Sequence, residues 1–267
     1  MKCDEIMWSG DHATARWISI LAGLFLAAFA LAGTASATPS PVVITFDDDG
    51  YVHGSVINSA TSADGGQSIQ LRANNRQKDF NYAVTFDSEI QGSTGDPDLQ
   101  APWSGGNIQD EDLGLILIVQ ANDTGCDTGV CSNPVAEPGI PAGNLTFFLD
   151  TPASSFGLDL IDVADGEDGF IRFYPEDNWG GFVTIEFKDL LAGLDLGINY
   201  ANRITPLTAE ELGLEQISRV GVKFYEAGAV DNLTFVPIPE PTTAILVGGG
   251  LVAFGLVRRA RHSPNTH

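Results

Sequence analysis

Apolar and polar residues alternate with a period near two along most of the chain, and the repeating segments are rich in β-branched and aromatic side chains. VVITFDD (Val42 to Asp48), SIQLRA (Ser68 to Ala73), NYAVTFD (Asn81 to Asp87) and NLTFFLD (Asn144 to Asp150) carry the pattern. So do SSFGLDLIDV (Ser154 to Val163), GFIRFYP (Gly169 to Pro175), GFVTIEF (Gly181 to Phe187), RVGVKFYE (Arg219 to Glu226) and AVDNLTF (Ala229 to Phe235). Each reads as a β-strand with one buried and one solvated face. GLILIVQ (Gly114 to Gln120) is apolar almost throughout, which predicts a central strand buried on both faces. Clusters of Gly, Pro, Asn and Asp separate the segments and mark turns. Only TAEELGL (Thr208 to Leu214) reads as a helix, with Thr208 and Glu211 at capping-box spacing before Gly213. The pattern predicts an all-β fold, an antiparallel β-sandwich of jelly-roll type spanning residues 38–236.

Composition agrees with a folded domain. A hydrophobic fraction of 43% and an aromatic fraction of 9% in 267 residues provide material for a core and exclude a disordered acidic chain. Net charge is −22, and between Thr38 and Ile238 there are 8 Lys+Arg against 31 Asp+Glu. Such a body repels phosphate backbones, which excludes nucleic acid as a partner and leaves cations, neutral sugars and basic partners.

Both ends of the chain depart from the strand pattern. Arg16 precedes the uncharged apolar run Trp17 to Gly33, and Ala35-Ser36-Ala37 follows with small residues at the spacing signal peptidase accepts. Residues 1–37 therefore read as a signal peptide cleaved after Ala37. An uncleaved membrane helix is the competing reading, because the run approaches the length of a span. Lys2 and Arg16 are outnumbered by Asp4, Glu5 and Asp11, and a start at Met7 rather than Met1 removes two of those acids. Export makes Cys126 and Cys131 in GCDTGVC a local disulfide, since four zinc ligands are not at hand.

At the other end, Pro239-Glu240-Pro241 precedes Thr243 to Val257, an uncharged stretch of 15 residues that would be about 22 Å long as a helix. Arg258, Arg259 and Arg261 follow and would remain cytoplasmic, leaving the acidic body outside. The two prolines hold the peptide around Glu240 extended at the membrane face. This three-part order, including Gly248-Gly249-Gly250 in the apolar segment, resembles the PEP-CTERM sorting signal of Gram-negative bacteria. The resemblance covers residues 237–267. It implies a short transmembrane helix, a transient inner-membrane intermediate, cleavage by an exosortase, and delivery to the cell surface or an exopolysaccharide matrix. A permanent anchor with a proline stop is the alternative. In the body, Ile44-Thr45-Phe46-Asp47-Asp48, Gly95-Asp96-Pro97-Asp98-Leu99 and Ala229 to Phe235 are similar to the secreted jelly-roll domains commonly fused to such tails. Some of those domains are akin to carbohydrate-binding modules.

The chemistry of the body points to binding rather than catalysis. His53 is the only histidine there, beside Tyr51 and Gly54 in a turn, and no metalloprotease, P-loop or nucleophile-elbow motif is present. A surface glycan hydrolase using a carboxylate pair is the alternative function, although 31 acids single out no pair. Calcium is the candidate cofactor, because it takes hard oxygen ligands. Asp47, Asp48 and Asp49 leave the first strand, Asp231 lies on the last, and the two strands adjoin in a jelly roll. Asp96 with Asp98, and Asp165 with Glu167 and Asp168, form further acidic clusters. For a sugar ligand, Trp103 and Trp179 are the candidate platforms, with a loop plug over the sandwich edge as the other reading of each.

Overall fold

The structure, a computed structural model, describes residues 39–90, 95–163, 169–176 and 181–239. The domain they form is all-β and antiparallel. Twelve strands join one hydrogen-bonded network: β1 (Val42–Ile44), β2 (Ser59–Thr61), β3 (Ser68–Asn75), β4 (Ala83–Asp87), β5 (Leu115–Val119), β6 (Gly143–Ile161), β7 (Phe170–Tyr174), β8 (Val183–Glu186), β9 (Ala201–Arg203), β10 (Leu207–Thr208), β11 (Ile217–Phe224) and β12 (Ala229–Pro237). One short helix, α1 (Phe187–Leu190), follows β8.

Strand β6 organises the whole. Its first half, Gly143 to Leu149, pairs with β3 on one side and β11 on the other. Its second half, Ala153 to Ile161, pairs with β12, β9 and β10. The change of partners falls at Thr151-Pro152, where proline cannot donate to a ladder. Two expected strands, Asn144 to Asp150 and Ser154 to Val163, are thus one strand of 19 residues. Leu145, Phe147, Leu158 and Leu160, from both halves, enter one buried cluster with Phe173, Val220, Val230, Leu233 and Phe235. The two halves therefore carry two layers packed over a shared core, a sandwich-like arrangement.

A second cluster lies on the other side of the β4–β5–β12 layer and contains Val84, Phe86, Ile116, Ile118, Ile161 and Ala229. Strand β5 is consequently buried along both faces, as its unbroken apolar run predicts. The disulfide Cys126–Cys131 belongs to this second cluster.

Thr208 to Leu214 is a turn and not a helix. The capping-box bonds do form: Glu211 N–H donates to Thr208 Oγ1 (3.1 Å), and Thr208 N–H donates to Glu211 Oε2 (2.8 Å). Gly213 adopts φ +68° two residues later, so a start signal and a stop signal fall within a single turn. Among the described residues no helix is long and apolar enough to cross a membrane.

Candidate functional site

The layer built from β3, the first half of β6, β11, β7 and β8 has one face in the core and one face outward. Register places its outward residues in three transverse rows. Arg72, Thr146, Gly221, Arg172 and Thr184 stand side by side in the middle row. Gln70, Phe148, Arg219 and Tyr174 form the row on one side, and Asn74, Asn144, Lys223, Phe170 and Glu186 the row on the other. The alternate residues Leu71, Phe147, Val220 and Phe173 point into the core, as strand periodicity requires.

Between these rows runs a groove of about 520 Å³. Its lining includes Arg72, Arg76, Arg172 and Lys223 with Phe148, Phe170 and Tyr174, and contains no carboxylate among the described residues. Four of the body's 8 cationic side chains thus gather on one face of a domain bearing 31 acids. None of the four makes an ion pair among the described residues.

Aromatic rings hold three of them instead. The Arg172 guanidinium lies between Phe170 (4.4 Å to the ring centroid) and Phe182 (4.6 Å), and its Nε–H donates to Thr184 Oγ1 (3.3 Å). Arg72 stands 5.1 Å from the Phe148 centroid, and Lys223 Nζ 5.1 Å from that of Phe170. Arg219 is fully buried beneath, its guanidinium 3.8 Å from the Tyr174 centroid. Rings with a negative face orient such cations without neutralising them. At the centre of the floor Gly221 has open space: a Cβ there would come no closer than 3.8 Å to any atom of the neighbouring side chains.

A contrasting polar row crosses the other layer. Asp231 on β12 is the register partner of Asp159 on β6, which in turn partners Arg203 on β9. Both carboxylates are buried, Asp159 fully and Asp231 to 1% exposure. Arg203 grips Asp159 with two bonds of 2.9 Å and reaches Glu111 at 2.7 Å. Asn232, at a left-handed φ of 49° in the β12 bulge, donates its Nδ2–H to Asp159 (2.8 Å) and Asp231 (3.0 Å). Burial pushes the Asp231 carboxyl well above its ordinary value, and the nearby Asp159 and Asp47 push it further. Burial also raises Asp159, against the opposing bonds from Arg203 and Asn232. Asp231 Oδ1 has no hydrogen-bond partner.

The four acids considered for calcium do not converge. Strands β1 and β12 do pair, Ile44 opposite Leu233, and this brings Asp47 near Asp231. Asp47 Oδ1, however, accepts the Leu115 N–H (2.8 Å), and a Cβ on Gly114 at φ +57° would collide with that carboxylate. Asp48 accepts from Thr45 Oγ1 (3.0 Å) within its own turn, and Asp49 accepts from Thr61 N–H (2.8 Å), tying that turn to β2. Among the described residues no group of three or more His, Cys, Asp or Glu side chains could hold a metal ion. The positive charge beside Asp159 and Asp231 comes from Arg203. Asp96 likewise serves the backbone, accepting from Ala136 N–H (2.8 Å).

Trp103 offers no platform for a sugar. It is 6% exposed, packs in the second core cluster, and donates its Nε1–H to the Glu111 carbonyl (3.0 Å). It is a loop plug, the other reading of its position. His53 accepts the Asp87 N–H at Nδ1 (3.0 Å) and packs edge-on to Phe86, and burial lowers its pKa. Trp179, Ala35, Ala37, Glu240, Pro241, Arg258, Arg259 and Arg261 lie outside the described residues, as do Asp165, Glu167 and Asp168. Pro239 is exposed at the end of the described chain, just after Ile238 N–H donates to the Pro152 carbonyl (2.7 Å). Comparison with family models, curated proteins and solved structures finds no match to this chain.

Proposed function

We propose that the chain is an exported protein of the cell surface or extracellular matrix, whose jelly-roll body is a non-catalytic module that binds polysaccharide on the outer face of the β3–β6–β11–β7–β8 layer. Signal peptidase removes residues 1–37, and an exosortase cuts at the Pro239-Glu240-Pro241 signal after the tail helix has held the chain in the inner membrane. The groove is the observation that carries the binding half. It is a solvated sheet face with rings set against cations, amide side chains and no carboxylate among its described lining, a surface suited to a long polar chain rather than to a compact apolar ligand. Its lining has no carboxylate pair for glycoside hydrolysis.

The sorting half is tested at Glu240. Replacing it with alanine leaves the apolar length and the three arginines unchanged, so insertion persists. The expected outcome is full-length protein retained in the inner membrane, beside a wild type at the surface that lacks residues 258–267. Wild-type protein recovered from the surface with those residues attached would overturn the sorting reading.

A further inference from the structure

We infer that the ligand of the groove is an anionic polysaccharide whose charge is carried as widely spaced carboxylates, the uronate type, and that Arg72 and Arg172 bind two of them across a floor centred on Gly221. The inference rests on the polysaccharide-binding reading above and specifies the chemistry of the chain.

The first argument is charge. In a body of 8 cations and 31 acids, an unpaired arginine has abundant potential partners. Arg203 and Lys188 take them, bonding to Asp159 and Glu111 and to Glu186 respectively. Among the described residues Arg72, Arg76, Arg172 and Lys223 do not, although they share one sheet face. An anion supplied from outside provides the counter-charge.

The second argument is shape. Phe170 and Phe182 both contact the Arg172 guanidinium and Thr184 engages its Nε, three contacts that restrict its orientation and leave the terminal N–H groups for the ligand. A guanidinium edge matches a carboxylate with two parallel bonds. Arg72 lies three strand positions away in the same row, a separation of about 14 Å at the usual strand spacing. Between them Thr146 and Gly221 keep the floor low, and Asn74 and Asn144 line the flank, where hydroxyls of intervening neutral sugars find amide partners.

The third argument selects sparse charge over dense charge. A net charge of −22 opposes any polyanion at long range. Screening confines that opposition to charges within about 8 Å at physiological ionic strength, so the groove's own cations dominate for a chain lying in it. Nucleic acid, with one charge per about 1.7 Å of duplex, and heavily sulfated glycans keep many charges outside the groove against acidic surface. A chain with one carboxylate every few sugars does not.

The test uses the full-length chain in non-ionic detergent, titrated against immobilised glycans in three arms. These are neutral glucans, sparsely charged uronate-containing polymers such as hyaluronan and glucuronoxylan, and heparin. Each uronate polymer is paired with its carboxyl-reduced form, which keeps the backbone and loses the charge. We expect uronate polymers to bind, with affinity falling at least about tenfold on carboxyl reduction and on Arg72→Gln with Arg172→Gln. Gly221→Leu, which has room at its Cβ and places a branched side chain on the floor, should abolish binding with an unchanged melting temperature. Equal binding of native and carboxyl-reduced polymers, or binding of neutral glucans alone, overturns the uronate inference while leaving polysaccharide binding standing. Heparin bound more tightly than any uronate polymer reduces the groove to a general anion patch and overturns it too. No binding in any arm removes both the inference and the binding module on which it rests.

Discussion

Two rows of charged residues cross this domain, and they are built in opposite ways. Asp231, Asp159 and Arg203 run across β12, β6 and β9 in the β12 layer, and Arg72, Thr146, Gly221 and Arg172 run across β3, β6, β11 and β7 in the other. Like charges placed side by side on neighbouring strands destabilise a sheet. In the first row the chain supplies its own counter-charge, with Arg203 gripping Asp159 through two 2.9 Å bonds. In the second it supplies rings and a glycine, which orient the cations and leave their charge in place. The first row is closed and belongs to stability. The second is open: among the described residues no carboxylate pairs with its cations.

Breaking the closed row should have the largest effect. Arg203→Met leaves Asp159 buried beside Asp231 with no cation, and the domain should lose about 2–4 kcal/mol in urea unfolding, somewhat less than a fully buried pair because Arg203 is half exposed. A loss below about 0.5 kcal/mol would show that the row is not held by charge.

A smaller effect of opposite sign should follow at Asp231. Its folded pKa is raised above the unfolded value, so the stability contributed by its proton is fully present below about pH 4 and is lost as pH rises through the folded pKa. Asp231→Asn removes that loss, and its amide can meet the acids that crowd the unpartnered Oδ1. The variant should be more stable than wild type at pH 8 by about 1–2 kcal/mol, the difference shrinking toward pH 4. A difference that does not vary with pH would place the effect elsewhere than in the proton.

The open row should respond least. Arg72→Gln with Arg172→Gln should shift the unliganded stability by less than about 1 kcal/mol, since exposed cation–π contacts are weak. Destabilisation as large as that of Arg203→Met would make these arginines structural and erase the contrast between the rows.

The strand pattern made much of this domain readable from its sequence. Period-two alternation located eight of the observed strands within a few residues, and the unbroken run at Gly114 to Gln120 is indeed the doubly buried β5. Alternation also separates Arg219, Gly221 and Lys223 from Val220, Val222 and Phe224 on β11. What local pattern does not carry is which polar faces adjoin. The middle row draws Arg72, Thr146, Gly221 and Arg172 from four distant segments, and only pairing register brings them together. Arg203 sits in a three-residue strand too short to show periodicity, so the partner of Asp159 was illegible. Thr151-Pro152 reads as an interruption, yet there the strand passes from one layer to the other and keeps its direction. Trp103 occupies a loop by sequence, and the second core cluster that buries it lies on the side of the sheet where alternation predicts none.

The position of β12 in the sheet has a consequence for the order in which this protein can come into being. The last strand in sequence is not an edge: it pairs with β1, β5 and the second half of β6, and β4 reaches the rest of the network only through β5. Until residues 229–237 are available, β1 and the β4–β5 pair have no strand to join, although β2 and β3 can already attach through β6, and the carboxylate of Asp159 has no Asn232 to satisfy it. A chain delivered from its N-terminus must therefore wait, with β1, β4 and β5 uncovered, for residues 229–237. Maturation is gated by completion: the fold closes only when the segment leading into Pro239 has emerged.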